Sequence, residues 1–233
     1  MRGRPSGRRN RRTPHPRTAK GSTALATGTE AQETDPRPDS SQDAASSIAD
    51  PGPLGLAAFA LTTFVLSVFN AGLLSEDLEP VVLPLALFYG GLAQLLAGMW
   101  EFRKANTFGA VAFTSYGAFW LSFAAYVKFV SEGLGPDGDK ATALFLLAWG
   151  IFTAYMTVAA LRVNVSVLAV FVALTLTFLV LAYGDFTGAK TVVHAGGYLG
   201  LITAVLAWYG SFAAVANATW KRTLLPVGPL APQ

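Results

Sequence analysis

Hydroxyl, amide and aromatic side chains stand inside otherwise apolar stretches of this sequence, where they could contact a polar solute. The stretch LGLAAFALTTFVLSVFN at residues 54 to 70 contains Thr62, Thr63 and Asn70. At 3.6 residues per turn, Phe59, Thr63 and Asn70 share one stripe of a helix. Because an amide in lipid is costly, we expect these polar groups to face the interior of a helix bundle.

Two further stretches carry a similar set of side chains. In FYGGLAQLLAGMWEF at residues 88 to 102, one helical stripe holds Gly90, Gln94, Gly98 and Glu101. The stretch TSYGAFW at 114 to 120 offers Ser115, Tyr116 and Trp120. Two roles stay open for Asn70 and Gln94: interhelical hydrogen bonds worth about 0.6 to 2 kcal/mol each, or hydrogen bonds to a solute that passes between helices.

Few titratable groups lie near membrane depth, and none is an Asp, Glu, Lys or Arg at the centre of an apolar stretch. This argues against a proton pump with several carboxylates and favours a small, weakly polar or singly charged solute. Glu101 adjoins Arg103 and Lys104, so we expect an interfacial ion pair, with a proton relay as the alternative. His194 is expected to be hydrogen-bonded in place, with proton exchange as the alternative.

Composition places the chain in a membrane, with 52% hydrophobic residues, 13% charged residues and a mean hydropathy of +0.44. Six apolar stretches are each about 20 residues long, as a bilayer requires; they lie at 54–74, 81–100, 108–130, 141–161, 165–183 and 191–217. Lipid offers the backbone no hydrogen-bond partner, so these stretches must be helices, and they lack the alternation of a barrel strand. The predicted fold class is all-α, a polytopic membrane protein with six transmembrane helices.

Three parts are predicted along the chain. Residues 1–49 are rich in Arg, Pro, Ser and Thr, and we expect a disordered basic tail because such a segment buries little apolar surface. Residues 50–226 form the transmembrane domain, and 227–233 form a short C-terminal tail. The basic run RGRPSGRRNRR suits an anionic lipid surface better than nucleic acid.

Basic residues also predict the orientation. Of the 17 Lys and Arg residues, only Lys128, Lys140 and Lys190 fall on the side opposite the N-terminus. By the positive-inside rule, both termini are expected in the cytoplasm, at the plasma (inner) membrane. The chain has no cysteine and only 2 histidines, so we predict no disulfide, no metal site and no other cofactor.

Glycines recur in two of the predicted helices. The second helix has Gly90, Gly91 and Gly98, and the sixth has Gly196, Gly197 and Gly200. Small residues at this spacing are typical of helices that pack at close range in membranes. We therefore expect both helices to approach a neighbour closely.

Several motifs of the sequence resemble the acetate uptake transporter family. DPGPLGLAAF at 50 to 59 is similar to the family signature N-P-[AV]-P-[LF]-G-L-x-[GSA]-F, and FYGGLAQLLAGMWEF and NTFGAVAFTSYGAFW are similar to its second and third helices. The likeness covers residues 50 to about 226. Asp50 and Gly52 depart from the signature. Asp caps a helix as well as Asn does, but its charge at a cytoplasmic mouth is expected to disfavour anion access.

The resemblance implies a six-helix protomer in a homo-hexamer, with a solute pathway through each protomer. It also implies a hydrophobic constriction formed by Phe59, Tyr116 and Leu174. The implied solute is acetate or another small mono- or dicarboxylate such as succinate, moving with or without a proton, and the protein is expected not to be an enzyme.

Within this interpretation, the expected solute-binding residues are Thr62, Thr63, Asn70, Gln94, Ser115 and Trp120, with His194 and Glu101 as candidates for a proton-linked role. Two alternatives stay open. One is a channel for a small neutral solute such as urea or an amide. The other is a non-transporting membrane scaffold or sensor whose Arg-rich tail recruits a partner.

Overall fold

Six long helices make up most of the protein in a computed structural model that describes residues 48–230. Their bounds are Gly52–Asn70 (α1), Val82–Arg103 in three parts (α2), Thr107–Phe129 (α3), Gly138–Ala160 (α4), Val165–Thr187 (α5) and Lys190–Trp220 (α6). All six are long and apolar enough to cross a bilayer, which confirms the all-α, six-helix prediction. The predicted tail at 1–49 falls almost wholly outside the described residues.

Helix starts follow from short-range capping. Pro51 precedes α1 and Pro53 lies in its first turn, where a missing backbone N–H costs little. Asp50 Oδ1 accepts a hydrogen bond from the Gly52 N–H at 3.1 Å. Asn106 caps α3 through the Gly109 N–H at 3.1 Å, and Asn164 caps α5 through the Val167 N–H at 2.8 Å. These hydrogen bonds fix the residues at which α1, α3 and α5 begin.

Helix ends differ most from the predicted spans at two places. α1 ends at Asn70, before the predicted residue 74, because Gly72 adopts a left-handed conformation with φ of +69°. α5 continues to Thr187, beyond the predicted 183, and ends at the left-handed Gly188. Asp185 therefore lies inside the last turn of α5.

α2 changes its hydrogen-bond pattern midway. It runs as an α-helix over Val82–Leu87, as a π-helical turn over Phe88–Ala93 and again as an α-helix over Gln94–Arg103. The π turn holds Gly90 and Gly91, both buried. A methyl group at Gly90 would collide with the side chain of Thr62 on α1. The turn therefore lets α2 approach α1 and sets the direction of the Gln94 side chain that follows it.

The close approach predicted for the glycines is confirmed. A methyl group at Gly197 of α6 would overlap the backbone of Ala71, and one at Gly200 would overlap Ser67 Oγ. Gly98 of α2 packs in the same way against Thr114 of α3. Small residues thus bring α6 against α1 and α2 against α3 at backbone range.

Aromatic rings fill the middle of the bundle. The Phe119 ring of α3 has five ring neighbours, with centroid distances between 4.9 and 6.1 Å; they are Trp120, Phe123, Phe145, Trp149 and Phe178. These rings come from α3, α4 and α5, which they hold together. They also form a rigid wall beside the cavities described next.

Candidate functional site

Two cavities open inside the bundle, one toward each end. The first, about 290 Å³, is lined by the start of α1 and α5 and the ends of α2 and α6; we call it the N-side cavity. The second, about 200 Å³, is lined by the end of α1 and α5 and the start of α6; we call it the far cavity. Each volume is of the order needed for a few small molecules.

Phe59 and Leu174 line both cavities. Both side chains are buried. Tyr116 lines the N-side cavity, and its ring centroid lies 5.7 Å from that of Phe59. The structure therefore brings the three residues expected at the constriction to the boundary between the cavities, and we refer to them together as the ring.

Neighbouring groups hold the ring in place. The Tyr116 hydroxyl lies 2.9 Å from Thr153 Oγ1. The Tyr116 ring also contacts Trp149, Phe152 and Phe171, with centroid distances of 6.2, 5.5 and 6.0 Å. Phe171 lines the N-side cavity and was missed by the sequence analysis. Its position one helical turn before Leu174 could have indicated it.

Polar atoms without partners face this region. Thr63 and Trp120 line the far cavity, and Gln94 lines the N-side cavity. Within residues 48–230, Thr63 Oγ1, Trp120 Nε1 and Gln94 Oε1 are buried and have no hydrogen-bond partner. Leaving such a group unpaired costs about 1 to 3 kcal/mol, so a hydrogen bond from water or a solute in the adjoining cavity would stabilise each of them. Asn70 also lines the far cavity.

Three expected site residues are not brought to the cavities. Thr62 donates a hydrogen bond to the Ala58 carbonyl at 2.9 Å and packs against Gly90. It lies about 100° around the helix from Thr63, which turns it toward α2. Ser115 lines neither cavity, and His194 is exposed beside Gly72, outside both. The geometry does not support solute contact for Thr62 and Ser115.

The expected ion pair of Glu101 is wrong. Lys104 Nζ instead pairs with Asp50 Oδ1 at 3.0 Å, and Glu101 forms no ion pair within the described part of the chain. Glu101 Oε2 accepts a hydrogen bond from Asn106 Nδ2 at 2.8 Å. The carboxyl group is buried and lines the N-side cavity. Lys104 also offsets the charge that Asp50 places at this mouth.

The chain after α6 folds back over the N-side cavity. Asn217 Oδ1 accepts hydrogen bonds from the N–H groups of Leu224 and Leu225 at 2.7 and 3.1 Å. The Val165 and Ser166 N–H groups donate to the carbonyls of Gly228 and Val227. Val227 lines the cavity. The described part of the predicted C-terminal tail thus forms a wall of the site rather than a free end.

Six membrane-spanning helices around two cavities that share Phe59 and Leu174 in their walls define a multi-pass membrane protein with an internal site. The chain belongs to the GPR1/FUN34/yaaH family, whose model matches residues 33–231. This family membership agrees with the resemblance seen in the sequence.

Three relatives illustrate the likeness. The chain is 43% identical over 189 residues to Ammonia transport outward protein 2 of Saccharomyces cerevisiae, covering 78% of this chain and 66% of that protein. It is 40% identical over 183 residues to the Succinate-acetate/proton symporter SatP of Escherichia coli K12, covering 78% and 96%. The structure of the bacterial acetate channel SatP superposes with a TM-score of 0.73 at 39% identity, covering 78% of this chain and 99% of that one.

Proposed function

We propose that the protein moves acetate, and other small carboxylates such as succinate, across the membrane through a pathway in each protomer. The observation that carries this proposal is the pair of cavities that meet at Phe59 and Leu174. The bacterial relative is a succinate-acetate/proton symporter and the similar solved structure is an acetate channel, which supports the choice of solute.

Each group on the pathway has a role in this proposal. Trp120 Nε1–H and the Thr63 hydroxyl donate hydrogen bonds to a carboxylate in the far cavity, with Asn70 beside them. Gln94 binds the solute in the N-side cavity. The apolar ring excludes ions, because a charged carboxylate in an apolar gap has lost its hydration. We propose that the solute therefore crosses the ring as a neutral acid.

The same proposal includes the protein's class, its membrane, its orientation and its assembly. We place the protein among transporters and channels rather than enzymes, in the plasma (inner) membrane, with both termini in the cytoplasm. We propose that the Arg-rich stretch within residues 1–49, which lies almost wholly outside the described residues, binds anionic lipid on that side. The protomers assemble as a homo-hexamer. The N-side cavity is then the cytoplasmic cavity and the far cavity is the external one.

Uptake of labelled acetate into proteoliposomes tests the function. The purified full-length chain should give uptake above that of protein-free vesicles. Deleting residues 1–49 should leave this uptake intact. A scaffold or sensor would give no uptake above the protein-free control, which would refute the proposal.

The ring is tested by truncating Phe59. Phe59→Ala should change the rate of acetate uptake and the ratio of succinate to acetate uptake, because it widens the gap between the cavities. Phe64→Ala is the matched control, since Phe64 lies on the same helix, packs against Trp208 at 5.1 Å and lines neither cavity. Equal rates and ratios in both variants would count against the ring.

A second candidate is a channel for a neutral solute. No Lys or Arg lines either cavity within the described residues, so an uncharged molecule also fits, and one yeast relative is named for ammonia. Competition separates the two candidates. If labelled urea is taken up above protein-free vesicles, acetate does not inhibit that uptake, and acetate itself is not taken up, the neutral-solute channel is correct.

A further inference from the structure

Two carboxyl groups line the far cavity without a partner. Glu79 lies on the 3-10 turn Glu76–Val81, and Asp185 lies in the last turn of α5. Within residues 48–230, neither takes part in an ion pair or a side-chain hydrogen bond. Two other acids at this end lie in ion pairs, Glu76 with Lys190 at 3.6 Å and Asp137 with Lys140 at 2.7 Å. The two cavity acids are thus free to exchange protons.

The charges around Asp185 are mostly negative. Glu79, and Asp139 at the start of α4, lie within electrostatic reach of Asp185. From α6, the exposed Lys190 ammonium lies 3.6 Å from Glu76 Oε1 and does not line the cavity. Negative charge around a carboxyl group favours its protonated form. The far cavity therefore offers a solute an acid rather than a fixed cation.

Besides Glu79 and Asp185, Tyr126 is the one titratable residue that lines the far cavity within residues 48–230. On α3, Tyr126 lines the same cavity, and its hydroxyl bonds Thr142 Oγ1 at 2.8 Å. Lys128 of α3 and His194 of α6 are not among the lining residues. Lys140 of α4 is held by Asp137.

A third carboxyl group lies on the opposite side of the ring. Glu101 lines the N-side cavity and is only 1% exposed. It has one hydrogen-bond donor, Asn106 Nδ2, and the charges nearest to it are Asp50 and Lys104, which pair with each other. Phe59 and Leu174 separate this acid from Asp185, because they line both cavities.

We propose that Asp185, assisted by Glu79, and Glu101 form a two-station proton relay across the ring; this inference rests on the proposed function. The protonated Asp185 carboxyl gives its proton to a carboxylate that has arrived in the far cavity. The neutral acid crosses the ring and gives the proton to the Glu101 carboxylate. Asp185 regains a proton from water on the far side, and Glu101 releases its proton to water on the N side.

The unpartnered polar atoms fit the two ends of this relay. In the far cavity, Trp120 Nε1–H and the Thr63 hydroxyl are donors, and donors bind an anionic carboxylate. In the N-side cavity, the side-chain amide of Gln94, whose Oε1 has no partner, can accept from the O–H of a neutral acid and can also donate to a carboxylate. The Trp120 donor of the far cavity suits the arrival of an anion on that side of the ring.

The test is equilibrium exchange of labelled acetate in proteoliposomes that hold the full-length chain, at equal pH on both sides. This measurement does not depend on how the protein is inserted. Above about pH 6, the neutral fraction of a small carboxylic acid falls about tenfold per pH unit. With the relay, exchange by the natural protein should fall much less steeply, because bound acetate receives its proton from Asp185.

The variant D185N/E79Q removes the far station. Its exchange rate should follow the neutral fraction of acetate, so that it is roughly tenfold or more slower than the natural protein near pH 7 and similar to it near pH 5. D185E should restore the shallow profile. D137N is the matched control, since Asp137 is an exposed acid at the same end that lines neither cavity, and it should leave the profile unchanged.

Every other outcome of this experiment would refute either the relay or the proposed function. If D185N/E79Q has the natural profile, or is slower by the same factor at both pH values, the relay is wrong. If D185E is as impaired as D185N/E79Q, Asp185 has a structural role only, and the relay is again wrong. If the natural protein shows no exchange above protein-free vesicles at any pH, the proposed function itself fails.

Discussion

At the scale of single residues, Tyr116 contributes its ring and its hydroxyl to different tasks. Thr153 Oγ1 donates to the Trp149 carbonyl at 2.7 Å, so the Tyr116 O–H is the donor in the 2.9 Å bond to Thr153. The aromatic ring of Tyr116 faces Phe59 and the N-side cavity. We therefore expect the Tyr116 hydroxyl to stabilise the fold and the aromatic ring of Tyr116 to shape the solute pathway.

Tyr116→Phe should lower the free energy of unfolding by about 1 kcal/mol, the usual net value of one hydrogen bond. Acetate uptake should stay near that of the natural protein, because phenylalanine keeps the aromatic ring at position 116. Tyr116→Ala, in contrast, should change uptake as well as stability. Unfolding in detergent and proteoliposome uptake measure the two effects separately. A large loss of uptake in Tyr116→Phe would show that the hydroxyl itself contacts the solute.

Residue types and spacing predicted part of the site. Phe59, Thr63 and Asn70 share a helical stripe, and the structure places all three at a cavity wall. Leu174 came from the family resemblance alone, because nothing within its apolar stretch sets it apart from other leucines. Asp185 was missed because it lies outside the predicted span, and only the extension of α5 to Thr187 turns it toward the far cavity.

At the scale of elements, the approach of α6 to α1 depends on two glycines. Gly197→Ala and Gly200→Ala should each destabilise the protein by about 1 to 3 kcal/mol, because the added methyl group overlaps the Ala71 backbone or Ser67 Oγ. Gly133→Ala is the control, since nothing lies within 4 Å of the added carbon there. Unfolding in detergent measures the difference, and equal stability of all three variants would contradict the packing account.

The six helices were easier to predict from the sequence than the irregular turn within α2 and the segment after α6. Six apolar stretches and the close-packing glycines follow from lipid chemistry and can be seen in the sequence. The π turn over Phe88–Ala93 has no comparable signal, because it depends on how α2 fits against α1. The segment after α6 was also not predicted, since its hydrogen bonds to Val165 and Ser166 join residues that are far apart in the chain.

At the scale of the whole molecule, the outer surface of the bundle is apolar. Large side chains such as Phe129, Phe212 and Ile151 are more than half exposed, which suits contact with lipid or with other protomers. The sidedness of the molecule matters more to function, because it decides which cavity meets the external solution. The relay runs from the acidic far cavity toward the cytoplasm only if that cavity faces outward.

Cysteine labelling tests this orientation directly, because the chain has no cysteine of its own. Ser75 and Thr223 are exposed and lie at opposite ends of the bundle, after α1 and after α6 respectively. In intact cells, a membrane-impermeant maleimide should label Ser75→Cys, and it should label Thr223→Cys only after permeabilisation. This result would place Glu79 and Asp185 on the external side, whereas the reverse pattern would put Glu101 there and reverse the order of the two proton stations.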